Sequence, residues 1–282
     1  MTKFEHSYGN TLLKCENVGL TIGENVILRD INLEIRNIHR PGMTQGQVIG
    51  FAAPSGTGKS KFCEVLAGII TTDKEQNINV TGNVLIGESQ QPTTIGRVGF
   101  VQQKYPLLNH RTVYKNLELI ANNKFKDHVI AKQKTDYMLN MLGLETQAKK
   151  YPANLSGGQQ QRVAIAQALI ACEDFLIFDE PFSGLDINMI YKVSQMIQDL
   201  TTKSETLTVI VISHDISSIC AISDTVWLMG KERDAQGNII PGAKIMQEIN
   251  LIDRGLAWQP NIQLMPEFTD LTREIKAIFP TL

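Results

Sequence analysis

Two β-rich runs, Leu12–Leu20 and Val26–Ile35, open the patterned part of the chain, and the Thr-Ile-Gly-Glu-Asn between them predicts a hairpin. The polar stretch Arg36 to Gln45, with Pro41-Gly42 as its turn signal, reads as a loop. Gln47–Ala52 then reads as a buried strand, followed by a Gly-rich turn and a helix from about Gly58 to Ile70. Val80–Ile86 and Arg97–Gln102 look like further strands. Between Val113 and Leu142 the spacing becomes helical, through Val113, Leu117 and Ile120 and then Val129, Tyr137, Met138 and Met141. A helix over about 156–171 leads into the short apolar strand Phe175–Phe178. A helix near 188–201, the strand Thr208–Ile212, a helix near 216–222 and a strand at 225–229 follow. Strands alternating with helices predict an α/β fold with a mainly parallel sheet covered on both faces.

Beyond Gly230 the texture changes. Asp234-Ala-Gln-Gly-Asn238 and Pro241-Gly242 mark turns, and Phe268–Phe279 carries Leu271, Ile275, Ile278 and Phe279 on one helical face. Residues 231–282 read as an extension packed on the core or on a partner, and nothing in them suggests chemistry.

Composition narrows the picture. The 282 residues suffice for one large core, or a core plus a small subdomain. The net charge of −2 and scattered basic residues leave no nucleic-acid footprint. The densest basic stretch, Lys124 to Lys134, reads as the solvated face of a helix. Cys15, Cys63, Cys172 and Cys220 are far apart and form no C-x-x-C pair, which suits free thiols in a reducing compartment. The N-terminal residues lack a signal-like apolar stretch, and no window approaches the length of a membrane span. A soluble cytoplasmic protein is expected, with any membrane role needing a partner.

Three stretches carry chemistry. Ala53-Pro-Ser-Gly-Thr-Gly-Lys-Ser60 sits between a strand and a helix, as a phosphate loop does. Gly56 and Gly58 would let the backbone N–H groups of Ser55 to Ser60 curl round phosphate oxygens, Lys59 would reach the β- and γ-phosphates, and Ser60 would ligate Mg²⁺. Ala53 replaces the usual first glycine; a residue before Pro54 is confined to extended conformations, so this departure is expected to matter little. Phe175-Leu-Ile-Phe-Asp179-Glu180 ends an apolar strand in two carboxylates, at the end where parallel sheets line their ligand crevice. Asp179 would hold Mg²⁺ and Glu180 would deprotonate the attacking water. Leu155-Ser-Gly-Gly-Gln-Gln-Gln-Arg162 opens an Ala-rich helix, and reads either as a plain Ser cap or as a helix N-terminus that meets phosphate.

In this order, with a glutamine loop and a histidine after the strand Thr208–Ile212, these elements resemble the ATP-binding subunit of ATP-binding-cassette (ABC) transporters over about residues 12–230. The resemblance implies a P-loop NTPase (RecA-like) core, a small antiparallel β subdomain, a helical subdomain inserted at about 106–165, and a C-terminal appendage. It implies ATP and Mg²⁺ as ligands, with Ser60, Gln103 and Asp179 around the metal. Gln103, rather than Gln102, would touch Mg²⁺ and the lytic water; Lys104 to Thr112 would lie near a permease. Ser156, Gly157, Gly158 and Gln159 would meet the γ-phosphate held by a second subunit, and Asp186, in Ser183-Gly-Leu-Asp186, would cross the same interface. His214, in Ser-His-Asp, would contact the γ-phosphate.

The implied protein is an Mg²⁺-dependent ATPase that dimerises on ATP with a second copy or a related subunit and drives a separate integral membrane permease. It would be peripheral on the inner face of the cytoplasmic membrane. Import is the expected direction, nearest the nitrate, sulfonate and taurine importers; an exporter or lipid-handling motor, a cassette ATPase acting on nucleic acid and a non-hydrolysing scaffold are the alternatives. Two further positions depart from the family. Ile22 stands where an aromatic residue often stacks on adenine, leaving Phe4 or Tyr8 as substitutes, and Lys61, in place of Ser or Thr, would lie near the α-phosphate or point into solvent. The loop 36–45 is longer than the family's usual link.

Overall fold

A hairpin of β1 (Ser7–Ile22) and β2 (Asn25–His39) pairs from Ile22↔Asn25 to Ser7↔His39, well past both predicted runs. The computed structural model describes residues 5–42, 45–172, 174–202, 205–259 and 261–282. Along β2 the buried residues Ile31, Leu33 and Ile35 alternate with exposed ones, as expected for a strand with one wet face. The loop predicted over 36–45 therefore begins only after His39, because Arg36 and Ile38 pair with Thr11 and Tyr8. Within it, 43–44 lie outside the described residues.

The remaining elements are β3 (Gln47–Ala52), α1 (Lys59–Leu66), β4 (Ile78–Ile86), β5 (Gln91–Pro92), β6 (Gly99–Val101), α2 (Val113–Lys124), α3 (His128–Met141), α4 (Gly157–Ala171), β7 (Phe175–Asp179), α5 (Ile187–Thr201), β8 (Thr208–Ser213), α6 (Ile216–Ile222), β9 (Thr225–Arg233), β10 (Ile239–Asn250) and α7 (Pro266–Ile278). The helix after the Gly-rich turn stops at Leu66, short of the predicted Ile70. Gly68, at φ 68°, turns the chain left-handed, and the Ile69 N–H reaches back to the Glu64 carbonyl at 2.8 Å. The single helical stretch predicted over 113–142 is two helices, split where Asp127 caps α3 by accepting from the N–H groups of Val129 and Ile130.

The strands of the described residues form one sheet in the order β5-β4-β1-β2-β10-β9-β3-β8-β7-β6. β9-β3-β8-β7-β6 is its parallel part. These strands are mostly apolar where both their faces are buried, and β9 turns polar where it emerges at Lys231 to Arg233. Val48, Val209, Val211, Leu176 and Phe178 face the layer of α4, α5, α6 and α7, while Ile49, Phe51, Ile210, Ile212 and Ile177 face α1 and the hairpin. Position 230, where the sequence texture changes, lies inside β9. β10 returns antiparallel to β9 and touches β2 at Ala243↔Leu28, so it bridges the parallel part and the hairpin. α7 buries Phe268, Leu271 and Ile275 and packs on α6. No helix among the described residues is long and apolar enough to cross a membrane.

Candidate functional site

The register brings the predicted chemistry to one end of the sheet. Ala52 of β3 pairs with Ser213 of β8, and Ile212 of β8 with Asp179 of β7, so the phosphate loop, the two carboxylates and His214 leave neighbouring strands side by side. β6 is next: Val101 pairs with Phe178, which puts Gln103 beside the same edge.

In the loop, Gly56 and Gly58 take φ values of 78° and 101°. At Gly58 a Cβ would also come within 2.9 Å of Ile27 Cγ2 on β2, so glycine is required twice over. Ala53 is fully buried and needs no left-handed backbone. The Lys59 ammonium folds back and donates to the carbonyls of Ala53 and Pro54, each at 3.0 Å, and lies 3.4 Å from Glu180 Oε1. Thr57 Oγ1 donates to the Pro54 carbonyl at 2.7 Å and braces the curl, while Ser55 at its tip is exposed. Lys61 points along α1 and pairs with Glu64 at 2.7 Å.

Asp179 is buried, and burial raises its carboxyl above the usual range even though the Ser60 hydroxyl hydrogen-bonds to it. Its Oδ1 has no hydrogen-bond partner. A buried carboxylate oxygen left over beside a hydroxyl is the donor set a hard cation such as Mg²⁺ takes, with water and phosphate oxygens completing the shell. Glu180 stands in the left-handed region at φ 53°, held by its N–H to the Ile212 carbonyl at 2.8 Å. Its Oε2 accepts from Ser213 Oγ and meets His214 Nδ1, both at 2.9 Å. Facing a carboxylate, Nδ1 is the protonated nitrogen. Gln103 does not reach the carboxylates directly: its Nε2 donates to Ser183 Oγ at 3.0 Å, and the Ser183 N–H donates to the Glu180 carbonyl at 3.2 Å. Gln102 is exposed.

Ser156 caps α4 in a reciprocal box. Its Oγ accepts from the Gln159 N–H at 3.4 Å, and Gln159 Oε1 accepts from the Ser156 N–H at 3.1 Å. The Ser cap is thus present, and it leaves the first-turn N–H groups of Gly157 and Gly158 at an exposed helix end. A Cβ on Gly157 would meet nothing within 4 Å, and one on Gly158 would meet Met189 Cε at 3.2 Å. Asp186 caps α5 through the Met189 N–H at 2.9 Å.

A profile of the family described as ABC transporter matches residues 39–183. The chain belongs to the ABC transporter family. Among its relatives is the sulfate/thiosulfate import ATP-binding protein CysA of Mesostigma viride, 33% identical over 78% of this chain and 60% of its own length. The glutamate transport ATP-binding protein GluA of Corynebacterium glutamicum is 35% identical over 77% of this chain and 86% of its length. Among solved structures, cbiO1 of Clostridium perfringens, part of the ABC transporter complex cbiONQ, superposes with a TM-score of 0.69 over 97% of each chain at 22% identity, a likeness of fold. A dimeric ATP-binding cassette in a post-hydrolysis state with ADP and Pi gives a TM-score of 0.64 at 25% identity, over 85% of this chain and 99% of that one.

Within an ABC fold the adenine substitutes fare poorly. Tyr8 sits at the opposite end of β1 from Ile22, roughly 45 Å away at the rise of an extended strand. Its hydroxyl instead accepts from Asn250 Nδ2 at 2.8 Å. Phe4 lies outside the described residues. Ile22 itself is half-buried beside β4. Sequence reasoning passed over Ser183 and Ser213. Each lay inside a quoted motif; for Ser213 a small polar side chain closing an apolar strand was the available signal, whereas Ser183, in the loop after β7, offered none.

Proposed function

We propose that this chain is an Mg²⁺-dependent ATPase subunit that dimerises on ATP and drives a separate membrane permease in the import direction. The observation that carries the reading is the convergence of Lys59, Asp179, Glu180 and His214 at the ends of three adjacent parallel strands. Lys59 and the N–H groups at the start of α1 bind the phosphates, with the helix dipole favouring their charge. Ser60 and Asp179 would hold the metal, which would neutralise charge on the β- and γ-phosphates. Glu180 takes the proton of the attacking water, and His214, attached to the same carboxylate, lies toward the γ-phosphate. Gln103 joins this group through Ser183 and passes its state to the segment 104–112, which faces the permease.

Ser156, Gly157, Gly158 and Gln159 complete the site of a second subunit, with Asp186 at the same interface. Nucleotide bound between two chains favours the closed dimer, and hydrolysis removes that preference. The import direction and peripheral position on the membrane are supported by relatives named for sulfate/thiosulfate import and glutamate transport. Glu180→Gln is expected to lower turnover by about 10²–10⁴ with ATP binding intact. Near-normal steady-state hydrolysis by that variant would remove Glu180 as the base.

A further inference from the structure

We propose that Ser213 is the positioning residue for Glu180: its hydroxyl anchors one carboxylate oxygen so that the other is presented to the attacking water. The proposal rests on Glu180 being the general base. Ser213 closes β8 and is fully buried. Its Oγ accepts the Asp215 N–H at 3.1 Å and donates to Glu180 Oε2 at 2.9 Å. The accepted N–H occupies one lone-pair direction, so the single hydroxyl proton is aimed at the carboxylate and the rotor is fixed from both sides.

The two oxygens of Glu180 are held unequally. Oε2 takes both short contacts, from Ser213 and His214, whereas Oε1 has the longer 3.4 Å approach of Lys59. Lys59 also has the carbonyls of Ala53 and Pro54, and its reach is toward phosphate, so Oε1 is the oxygen with no dedicated donor. Of the two anchors on Oε2, His214 is half exposed at 52%. Ser213 is shielded from water, where a hydrogen bond to a charged group is stronger. A glutamate side chain has three free torsions, and without the Ser213 anchor Glu180 can follow Lys59 instead of facing a water. A base displaced by about 1 Å loses much of its effect.

The test compares wild type, Ser213→Ala, Ser213→Thr and Glu180→Gln in steady-state ATP hydrolysis, nucleotide binding and thermal melting. Ser213→Ala is expected to lower kcat by about 10- to 100-fold, the range of one hydrogen bond to a charged group. KM and nucleotide affinity should stay within about twofold, and Ser213→Thr, which restores the hydroxyl, should recover kcat to within about threefold. Should the alanine variant not fold, Ser213→Cys keeps the volume with a weak donor; low kcat for cysteine beside near-normal kcat for threonine supports the proposal, and equal values overturn it. The proposal also fails if Ser213→Ala retains kcat within twofold, if threonine does not rescue, or if kcat falls only together with nucleotide binding. Near-normal hydrolysis by Glu180→Gln has a different meaning: it removes the base assignment itself, whatever Ser213→Ala does.

Discussion

Asp179 carries opposing demands on one side chain. Burial raises its carboxyl above the usual range, with the neighbouring Glu180 charge acting the same way and Ser60 and Lys59 acting against. A folded-state value above the unfolded one means the group's contribution to stability is present below its unfolded pKa and lost as pH rises through the folded value. Once ionised, the carboxylate therefore opposes folding, and its unpartnered Oδ1 adds to that. Asp179→Asn should melt no lower than wild type in metal-free buffer at pH 7, and the difference should shrink on acidification. The same variant should lose the extra stabilisation by Mg²⁺ with nucleotide, and turnover should drop on the order of 10²-fold or more, since a bound metal contributes several kcal/mol to such reactions. Differential scanning calorimetry with and without Mg²⁺ and nucleotide separates the two effects; a variant less stable than wild type without metal contradicts the reasoning.

At the scale of elements, α4 shows how one helix start serves stability and recognition at once. The capping box holds the helix with Ser156 and Gln159, so replacing Ser156 confounds a lost cap, worth about 1 kcal/mol, with a lost ligand contact. Gly158→Asp avoids that. A carboxylate in the first turn suits the helix dipole, and the new Cβ meets only the flexible end of Met189, at 3.2 Å. The variant should fold with an unchanged or higher melting temperature and bind ATP as a monomer, yet fail to dimerise on ATP in the Glu180→Gln background, as read by analytical ultracentrifugation. Retained dimerisation would take this helix end out of the interface. The sequence made α4 and the central strands readable because their signals are local: a Ser-Gly-Gly start, and an uninterrupted apolar run such as Phe175–Phe178. The extension of β2 through Arg36–His39 was not readable, because edge-of-hairpin positions carry polar side chains whichever backbone they adopt. The Gln103–Ser183 link, between residues on separate loops, follows only from the β6–β7 register.

For the whole molecule, the least legible feature is an ion pair that ties the loop after β2 to the turn before β9, with Trp258 of the C-terminal extension packed on it. The Arg40 and Asp224 side chains are 1% and 4% exposed and meet at 3.1 Å, though in the sequence each resembles a surface residue. Arg40 also donates to the carbonyls of Gln45 and Gly46 and stacks on Trp258, 4.4 Å from the ring centre. Asp224 accepts from the Val48 N–H at 2.8 Å and from the Trp258 indole N–H, and its carbonyl accepts from the Leu251 N–H at 3.0 Å. Four segments thus converge on it: the loop before β3, β3 itself, the start of β9, and the tail. The length of the loop, unexplained by sequence, has a physical role here, since it carries Arg40 inward to meet a carboxylate that burial holds above its usual range. Removing one partner strands the other charge in the interior. Asp224→Ala and Arg40→Met should each cost about 3–5 kcal/mol in denaturant unfolding, and the double variant should cost well below their sum, because it leaves no unpaired buried ion. Additive losses would mean the two charges are not coupled. Hydrolysis per folded molecule should be preserved in both, because neither residue touches Lys59, Glu180 or His214.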